Sequence, residues 1–278
     1  MERRIAILAD IHGNVTALRA VLADAQRVQP TDYWFLGDLF LPGPGTADLY
    51  QQLADLQPDV WLQGNWEQGI AAVAQGYGGL SGGSEVYFAR LTAYLLTQLS
   101  PADFADLIKR PIATSRMVNG LDIGLSHNQP ERSTGHDLYP VAPTANFDHL
   151  VGKHDVAIYG HTHQQLMRVA DQGQLIINPG AVGQPYSPSA KLRADQRAQY
   201  ALLTINDAGQ LAVDFKKVAY DRQAEVDLAA RRQLPYLEQY RELRRTGLTV
   251  THDQPLLERI NARYGYAAEV QAFFHRRH

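Results

Sequence analysis

The sequence predicts an α/β (α+β sandwich) fold: two mixed β-sheets packed face to face, helices on both outer sides, and a helical cap inserted between strands. Three observations lead to it. Near the amino terminus, short apolar runs bounded by turn residues alternate with helical segments, the pattern of parallel strands buried on both faces. Later strands are joined by Asn-Gly and Asp-x-Gly turns, which close hairpins and make the sheets mixed. Several apolar runs end on Asp, Asn or His, and in open α/β sheets the ligand crevice lies beyond the carboxyl ends of such strands.

The elements follow in order. A strand at 4–9 leads into a helix at 14–28 capped by Asn14, then a strand at 32–36, a helix at 46–56 and a strand at 59–62. Residues 66–110 break that rhythm: they are mostly helical, interrupted by Gly76-Tyr-Gly-Gly-Leu-Ser-Gly-Gly83 and reopened at Pro101. Lying between two ligand-bearing runs, they are expected to fold over the crevice as a cap. Strands at 112–118 and 121–126 flank Asn119-Gly120, and a helix at 144–152 precedes a strand at 155–159. Strands at 165–169 and 174–177 turn at Asp171-Gln-Gly173, and strands at 199–205 and 210–218 turn at Asp207-Ala-Gly209. Residues 220–278 read as helices broken near Pro235 and Gly247, a C-terminal extension that packs on the core or makes a subunit contact. The whole chain, 1–278, reads as one domain.

Six apolar runs carry the chemistry: Ile5-Ala-Ile-Leu-Ala-Asp10-Ile-His12, Tyr33-Trp-Phe-Leu-Gly-Asp38, Val60-Trp-Leu-Gln-Gly-Asn65, Leu121-Asp-Ile-Gly-Leu-Ser-His127, Val156-Ala-Ile-Tyr-Gly-His161-Thr-His163 and Leu175-Ile-Ile-Asn178-Pro-Gly180. Two divalent ions held close together repel, so an anionic oxygen must sit between them. Asp38, just after a glycine that permits a sharp turn, suits that bridging place. Asp10 and His12 stand at i and i+2, which on an extended backbone point the same way and reach one ion. His161 and His163 repeat the spacing, Asn65 offers a neutral carbonyl oxygen, and His127 another imidazole. Such paired sites hold metals about 3.5–4 Å apart and activate a water for in-line attack on phosphorus. Taken singly, Asp-x-His, Gly-Asp, Gly-Asn and Asn-Pro-Gly are ordinary turn sequences; only the ordered set after successive strands carries weight.

That order, Asp-x-His, Gly-Asp, Gly-Asn, His, Gly-His-x-His, resembles the calcineurin-like metallophosphoesterase superfamily. Asp10-Ile-His12-Gly13-Asn14, Gly37-Asp38 with Pro42-Gly43-Pro44, and Asn178-Pro179-Gly180-Ala-Val-Gly183-Gln-Pro185 are similar to its small bacterial phosphodiesterase branch, which includes enzymes acting on nucleotides and diadenosine polyphosphates. The resemblance implies that Asp10, His12, Asp38 and His163 bind one metal and that Asp38, Asn65, His127 and His161 bind the other. It makes Asp38, Asn65 and His127 the catalytic residues. The expected ions are Mn2+ or Fe2+, with Zn2+ compatible with the same donors. The implied activity is hydrolysis of phosphodiester or phosphoanhydride bonds in a small nucleotide-type substrate.

One position departs from the family pattern. Gly-Asn-His-Asp or Gly-Asn-His-Glu is usual, but this chain reads Gly64-Asn65-Trp66-Glu67. An indole donates a hydrogen bond and cannot transfer a proton. Either another residue protonates the leaving group, or the substrate leaves without help, which favours dinucleoside polyphosphates and nucleoside triphosphates. Trp66 is a candidate substrate contact. So are Lys191 and Arg193 in the loop 184–198, where Tyr186 stands in place of the arginine that related sequences often carry after Gln-Pro; a plain exposed loop is the competing reading.

Composition agrees with a globular enzyme. A hydrophobic content of 45% supports a sizeable core, and with no cysteine any metal must be held by N and O donors. A net charge of −3 gives no basic face for a stable nucleic-acid partner, and no run reaches the ~20 apolar residues of a membrane span. Met1-Glu-Arg-Arg runs straight into the first strand, so a cytoplasmic location is expected, as a monomer or homodimer. The late arginines (Arg231, Arg232, Arg241, Arg244, Arg245, Arg276 and Arg277) interleave with glutamates and read as a solvated helical face. His136, His149, His154, His252, His275 and His278 read as ordinary surface or helical histidines. A protein serine/threonine phosphatase is disfavoured because Leu39-Phe-Leu-Pro-Gly-Pro, without arginine, follows Asp38. A nuclease lacks its basic groove, and a non-catalytic binder would not keep every ligand.

Overall fold

A computed structural model describes residues 1–76 and 80–276; residues 77–79, inside the glycine-rich break, and the terminal Arg277 and His278 lie outside the described residues. The strands are β1 (Arg3–Leu8), β2 (Asp32–Phe35), β3 (Val60–Trp61), β4 (Ala113–Val118), β5 (Leu121–Ser126), β6 (Val156–Tyr159), β7 (Gln165–Val169), β8 (Leu175–Pro179), β9 (Ala198–Ile205) and β10 (Leu211–Val218). They form two five-stranded sheets of order β10-β9-β1-β2-β3 and β4-β5-β6-β8-β7. β1 pairs parallel with β2 and antiparallel with β9, and β6 pairs parallel with both β5 and β8. Both sheets are therefore mixed, as expected.

The near-continuous apolar runs are explained by two buried faces. Ile5 and Ile7 of β1 enter the core between the sheets with Trp34, Leu125, Ile158 and Leu203. The intervening Ala6 and Leu8 face outward onto Leu18 and Val21 of α1 (Val15–Arg27). On the other sheet, Ala157 and Tyr159 face out onto Phe147 and Leu150 of α6 (Thr144–Val151). Burying a Leu or Phe side chain is worth about 1.5–3 kcal/mol, so the three layers fix the strand edges that carry the site. Asn14 caps α1, its side-chain oxygen accepting from Ala17 N–H at 3.1 Å. β3 is shorter than the expected 59–62 because Gln63 turns away, donating its N–H to Pro111 O at 2.9 Å.

After α2 (Ala47–Ala54), the inserted region holds α3 (Asn65–Ala74), α4 (Gly83–Leu96) and α5 (Pro101–Leu107). The loop 184–198 contains one helical turn, α7 (Ala190–Arg193). The C-terminal extension holds α8 (Arg222–Arg231), α9 (Leu237–Thr246), α10 (Gln254–Tyr264) and α11 (Tyr266–His275), and α10 and α11 pack on α4. Gly83 makes that contact possible: a Cβ there would meet Gln254 O and Glu258 N at 2.8 Å.

The arginines of this extension divide. Arg241 and Arg245 form exposed i,i+3 pairs with Glu238 and Glu242, as the solvated-face reading expects. Arg244 does not fit that reading. It is buried against Tyr240 and donates to Gly183 O and, at 3.3 Å, to Tyr220 Oη. Arg232 likewise reaches across the fold to Asp48, at 2.8 Å. Both are drawn inward because α8 and α9 dock on the core, which an i,i+3 charge count cannot reveal.

Candidate metal centre

Each anticipated ligand stands just past a strand: Asp10 and His12 after β1, Asp38 after β2, Asn65 after β3, His127 after β5, His161 and His163 after β6. Both sheets contribute, so the ligands face each other across the sandwich edge. The backbone is not extended there. Asp10, His12, Asp38, His161 and His163 have φ of 55°, 51°, 59°, 64° and 58°, the left-handed region that non-glycine residues rarely occupy. The i, i+2 pairs therefore converge through left-handed kinks and not through strand alternation. Such strain gathers where surrounding contacts over-determine the chain, commonly at functional sites.

Those contacts are visible. Asp10 N–H donates to Gly37 O at 3.0 Å, His12 N–H to Asp38 O at 2.9 Å, and Gly183 N–H to Asp10 O at 3.0 Å. Gly37 (φ 101°) and Gly64 let two ligand loops touch: a Cβ on Gly37 would lie 2.5 Å from Gly64 N, and one on Gly64 2.1 Å from Asp38 Oδ1. Glu67 closes the junction. Fully buried, it accepts from Asp38 N–H and Leu39 N–H at 2.8 Å and from Gly64 N–H at 2.7 Å. Burial and the nearby Asp38 push its pKa up to about 7. With both oxygens committed to the backbone, Glu67 holds the ligand loops and has no reach to a leaving group.

The histidines are aimed by carbonyls. His12 Nδ1 donates to Leu41 O at 2.7 Å and His127 Nδ1 to Leu36 O at 2.8 Å, which points each Nε2 at the crevice, for His127 a donor atom only once its proton is displaced. His161 is reversed, its Nε2 on Gly135 O at 3.0 Å and its Nδ1 on Asn65 Oδ1 at 2.9 Å. Asn65 Oδ1 also lies 3.0 Å from His127 Nε2. His12 Nε2 and His163 Nε2 stand 3.0 Å apart, and Asp38 Oδ2 lies 3.6 Å from His12 Nε2 and 3.5 Å from His127 Nε2.

Charge is arranged to match. Burial opposes ionisation of Asp10 and Asp38, but His163 beside one and His127 beside the other outweigh it and hold both carboxyls below the usual range. Burial pushes His12 and His161 down to about 4. For His127 burial acts the same way, but Asp38 and Asp10 overcome it and raise its pKa to about 9. Two donor sets, Asp10/His12/His163 and Asp10/Asp38/His127, each fall within 4.8 Å. Asp10 Oδ1 is buried, 3.3 Å from His163 Nε2, and accepts no hydrogen bond. Lone pairs converging on one point beside an unsatisfied buried carboxylate oxygen fit divalent cations with N and O donors.

The cluster opens into a cavity of about 690 Å³. Trp66 lies on its wall, its ring near-perpendicular to His12 at 5.3 Å and against Phe88 of α4 at 5.1 Å, while its backbone N–H donates to Asp38 Oδ1 at 2.9 Å. His136, stacked on Tyr139 at 5.0 Å, and His252 also line the cavity, so two histidines read as ordinary face the site. No spacing in the sequence marks them. His149 and His154 do pair with surface acids, Glu131 at 3.1 Å and Asp122 at 2.9 Å. Lys191 and Arg193 are not brought to the ligands. Lys191 lines a separate groove of about 290 Å³ beyond Tyr186, and Arg193 ties its own loop, donating to Ser187 O at 2.8 Å.

A two-sheet sandwich with a carboxylate–imidazole cluster at one edge has the architecture of a metallophosphoesterase. Residues 4–208 match the model of the calcineurin-like phosphoesterase superfamily domain, and the chain belongs to that superfamily. It is similar to a metallophosphoesterase from Sphaerobacter thermophilus, with 26% identity and a TM-score of 0.66 over 88% of this chain and 100% of the other. A hypothetical protein from Pyrococcus horikoshii OT3 shares the fold at 20% identity and a TM-score of 0.71, over 88% and 99% of the two chains. An uncharacterized protein of Methanocaldococcus jannaschii is 24% identical over 254 residues, 84% of this chain and 95% of the relative. Among the described residues no helix is long and apolar enough to cross a membrane.

Proposed function

We propose that the protein is a dimetal phosphoesterase hydrolysing phosphodiester or phosphoanhydride bonds of small nucleotide-type substrates, dinucleoside polyphosphates and nucleoside triphosphates favoured. The observation that carries this reading is the convergence of buried donors from both sheets on one edge, with Asp10 Oδ1 unsatisfied among them. Asp10, His12, Asp38 and His163 would hold one ion, and Asp38, Asn65, His127 and His161 the other, with Asp38 shared. The donor set suits Mn2+ or Fe2+, and also Zn2+. Once bound, the ions supply charge neutralisation at the phosphoryl group and an activated water.

The chain's own residues do the rest. Leu41 O and Leu36 O fix the tautomers of His12 and His127, so the donors are preorganised and do not search. Glu67 locks Asp38 against Gly64, keeping the carboxylate that this reading shares between the ions midway between His12 Nε2 and His127 Nε2, at 3.6 and 3.5 Å. Trp66 shields that junction on the cavity side and cannot give up a proton, which favours leaving groups that depart as stable anions. The test is hydrolysis of bis(p-nitrophenyl) phosphate by metal-stripped protein, with and without added Mn2+, alongside metal content per chain. Turnover only after loading, with two ions per chain, is expected. Equal turnover without metal, or no ion retained, would overturn the reading.

A further inference from the structure

The C-terminal segment 247–252 lies beyond residues 4–208, the part of the chain matched by the superfamily domain, yet Gly247, Thr249, Thr251 and His252 line the same cavity as Asp38 and His161. Its placement is specific. From the metal end, His12 meets Trp66 at a near-right angle, and Trp66 meets Phe88. One turn earlier on α4, on the face it shares with Phe88, Ser84 Oγ donates to Thr251 O at 2.5 Å and Ser84 N–H to Gln254 Oε1 at 3.0 Å. The hydroxyls of Thr249 and Thr251 lie 2.6 Å apart at this rim. The cavity thus runs from cation donors, along two aromatic rings, to hydroxyls and an imidazole.

We propose that Trp66 and Phe88, with Thr249, Thr251 and His252, form a subsite for the base of a nucleotide-type substrate whose phosphate lies at the metal centre. A nucleobase is a flat ring with a polar edge. Its face stacks on aromatic side chains whatever its sequence identity, and its edge needs donors and acceptors, which hydroxyls and imidazole supply. An acyl chain would find the rim polar, and a sugar alone would not use the rings. The inference rests on the phosphoesterase reading and names which part of the molecule selects its substrate; a short segment held on rigid helices is a usual place for selectivity.

The test uses the full chain loaded with Mn2+ and two chromogenic diesters that share one leaving group, the p-nitrophenyl ester of thymidine 5′-phosphate and methyl p-nitrophenyl phosphate, which has no second ring to stack. His252→Ala, at an exposed position, and Phe88→Ala should raise KM for the thymidine ester about tenfold more than for the other, the scale of one lost base contact. Equal effects on both esters, or none, would overturn the proposal. Binding gives a second reading without turnover. Trp34 and Trp61 are buried in the core, so thymidine 5′-phosphate should quench tryptophan fluorescence through Trp66, and His252→Ala should weaken that quench. If neither ester is hydrolysed by the unaltered protein, the phosphoesterase reading falls, while presence or absence of the quench still decides the subsite.

Discussion

The metal-facing wall of the cavity is made of residues that follow strand ends by a few positions, held by backbone hydrogen bonds between neighbouring loops. The opposite wall is made of Phe88 and Thr249 to His252, brought together by the docking of α10 and α11 on α4, with the His136–Tyr139 stack from the loop before α6 beside them. The first wall is set by local chain geometry and repeats wherever such strands end; the second is set by how distant helices pack. Chemistry should therefore fail sharply when the first is altered, and selectivity should shift when the second is.

The sharpest break is at Asp38, the carboxylate proposed to be shared. Asp38→Ala should lower hydrolysis of bis(p-nitrophenyl) phosphate by about 10³-fold or more, the loss of several kcal/mol of metal-derived stabilisation. The fold should persist, since Asp38 is not part of the apolar core, and circular dichroism with metal analysis would check both halves. A variant with near-normal activity would dissolve the contrast between the walls.

Trp66 sits where the walls meet, and it divides substrates by leaving group. Trp66→His should accelerate cleavage of a dinucleotide, whose sugar hydroxyl leaves badly, by up to about 10²-fold. It should change a dinucleoside polyphosphate much less, because a phosphate with a second pKa of about 6 departs unaided. Rates for the two substrates, compared in both proteins, decide it; an unaltered protein that cleaves both equally fast would show that another group supplies the proton.

Proton competition probes the first wall alone. In the metal-free centre His127 keeps its proton up to about pH 9, so a cation must displace it and affinity should rise with pH until then. Each unit below that value should cost up to about tenfold in affinity. The effect on metal-free stability has the opposite sign. The raised value means this contribution is complete below the ordinary histidine range and is lost as pH rises through about 9. Calorimetry of Mn2+ binding in buffers of differing ionisation enthalpy should find about one proton released near neutral pH, and none would refute the assignment.

The smallest effect is expected where the extension grips the ligand loops. Arg244→Met removes one donor to Gly183 O, but Asn14 Nδ2 still donates to it at 3.0 Å. Stability should fall by only about 1 kcal/mol, read as a lower thermal midpoint. No change at all would mean the extension rests on its apolar contacts alone.

The same contrast governs what the sequence discloses. Asp10, Asp38 and His161 were legible because each follows an apolar run that only a buried strand explains, and ligand type and order did the rest. The left-handed kinks were not legible, since Asp-x-His reads equally well on an extended backbone. Nor were His136, His252 or buried Arg244, whose neighbours are ordinary polar residues. His252 is placed by docking between α4 and the chain's end, Arg244 by α9 against Gly183 O, and His136 by a loop whose Gly135 O meets His161; no residue spacing encodes such meetings.

Five positions proposed as ligands and held at positive φ also set this protein at odds with itself over evolutionary time. An L-residue in that conformation gives up roughly 1–2 kcal/mol that glycine there would not. At His163, the less buried of the two imidazoles, glycine would relieve that strain while removing a donor from the centre; at buried His12 the lost hydrogen bond to Leu41 O and the space left behind oppose the gain. Selection for thermal endurance alone, applied without metal, would press on His163 before it pressed on His12.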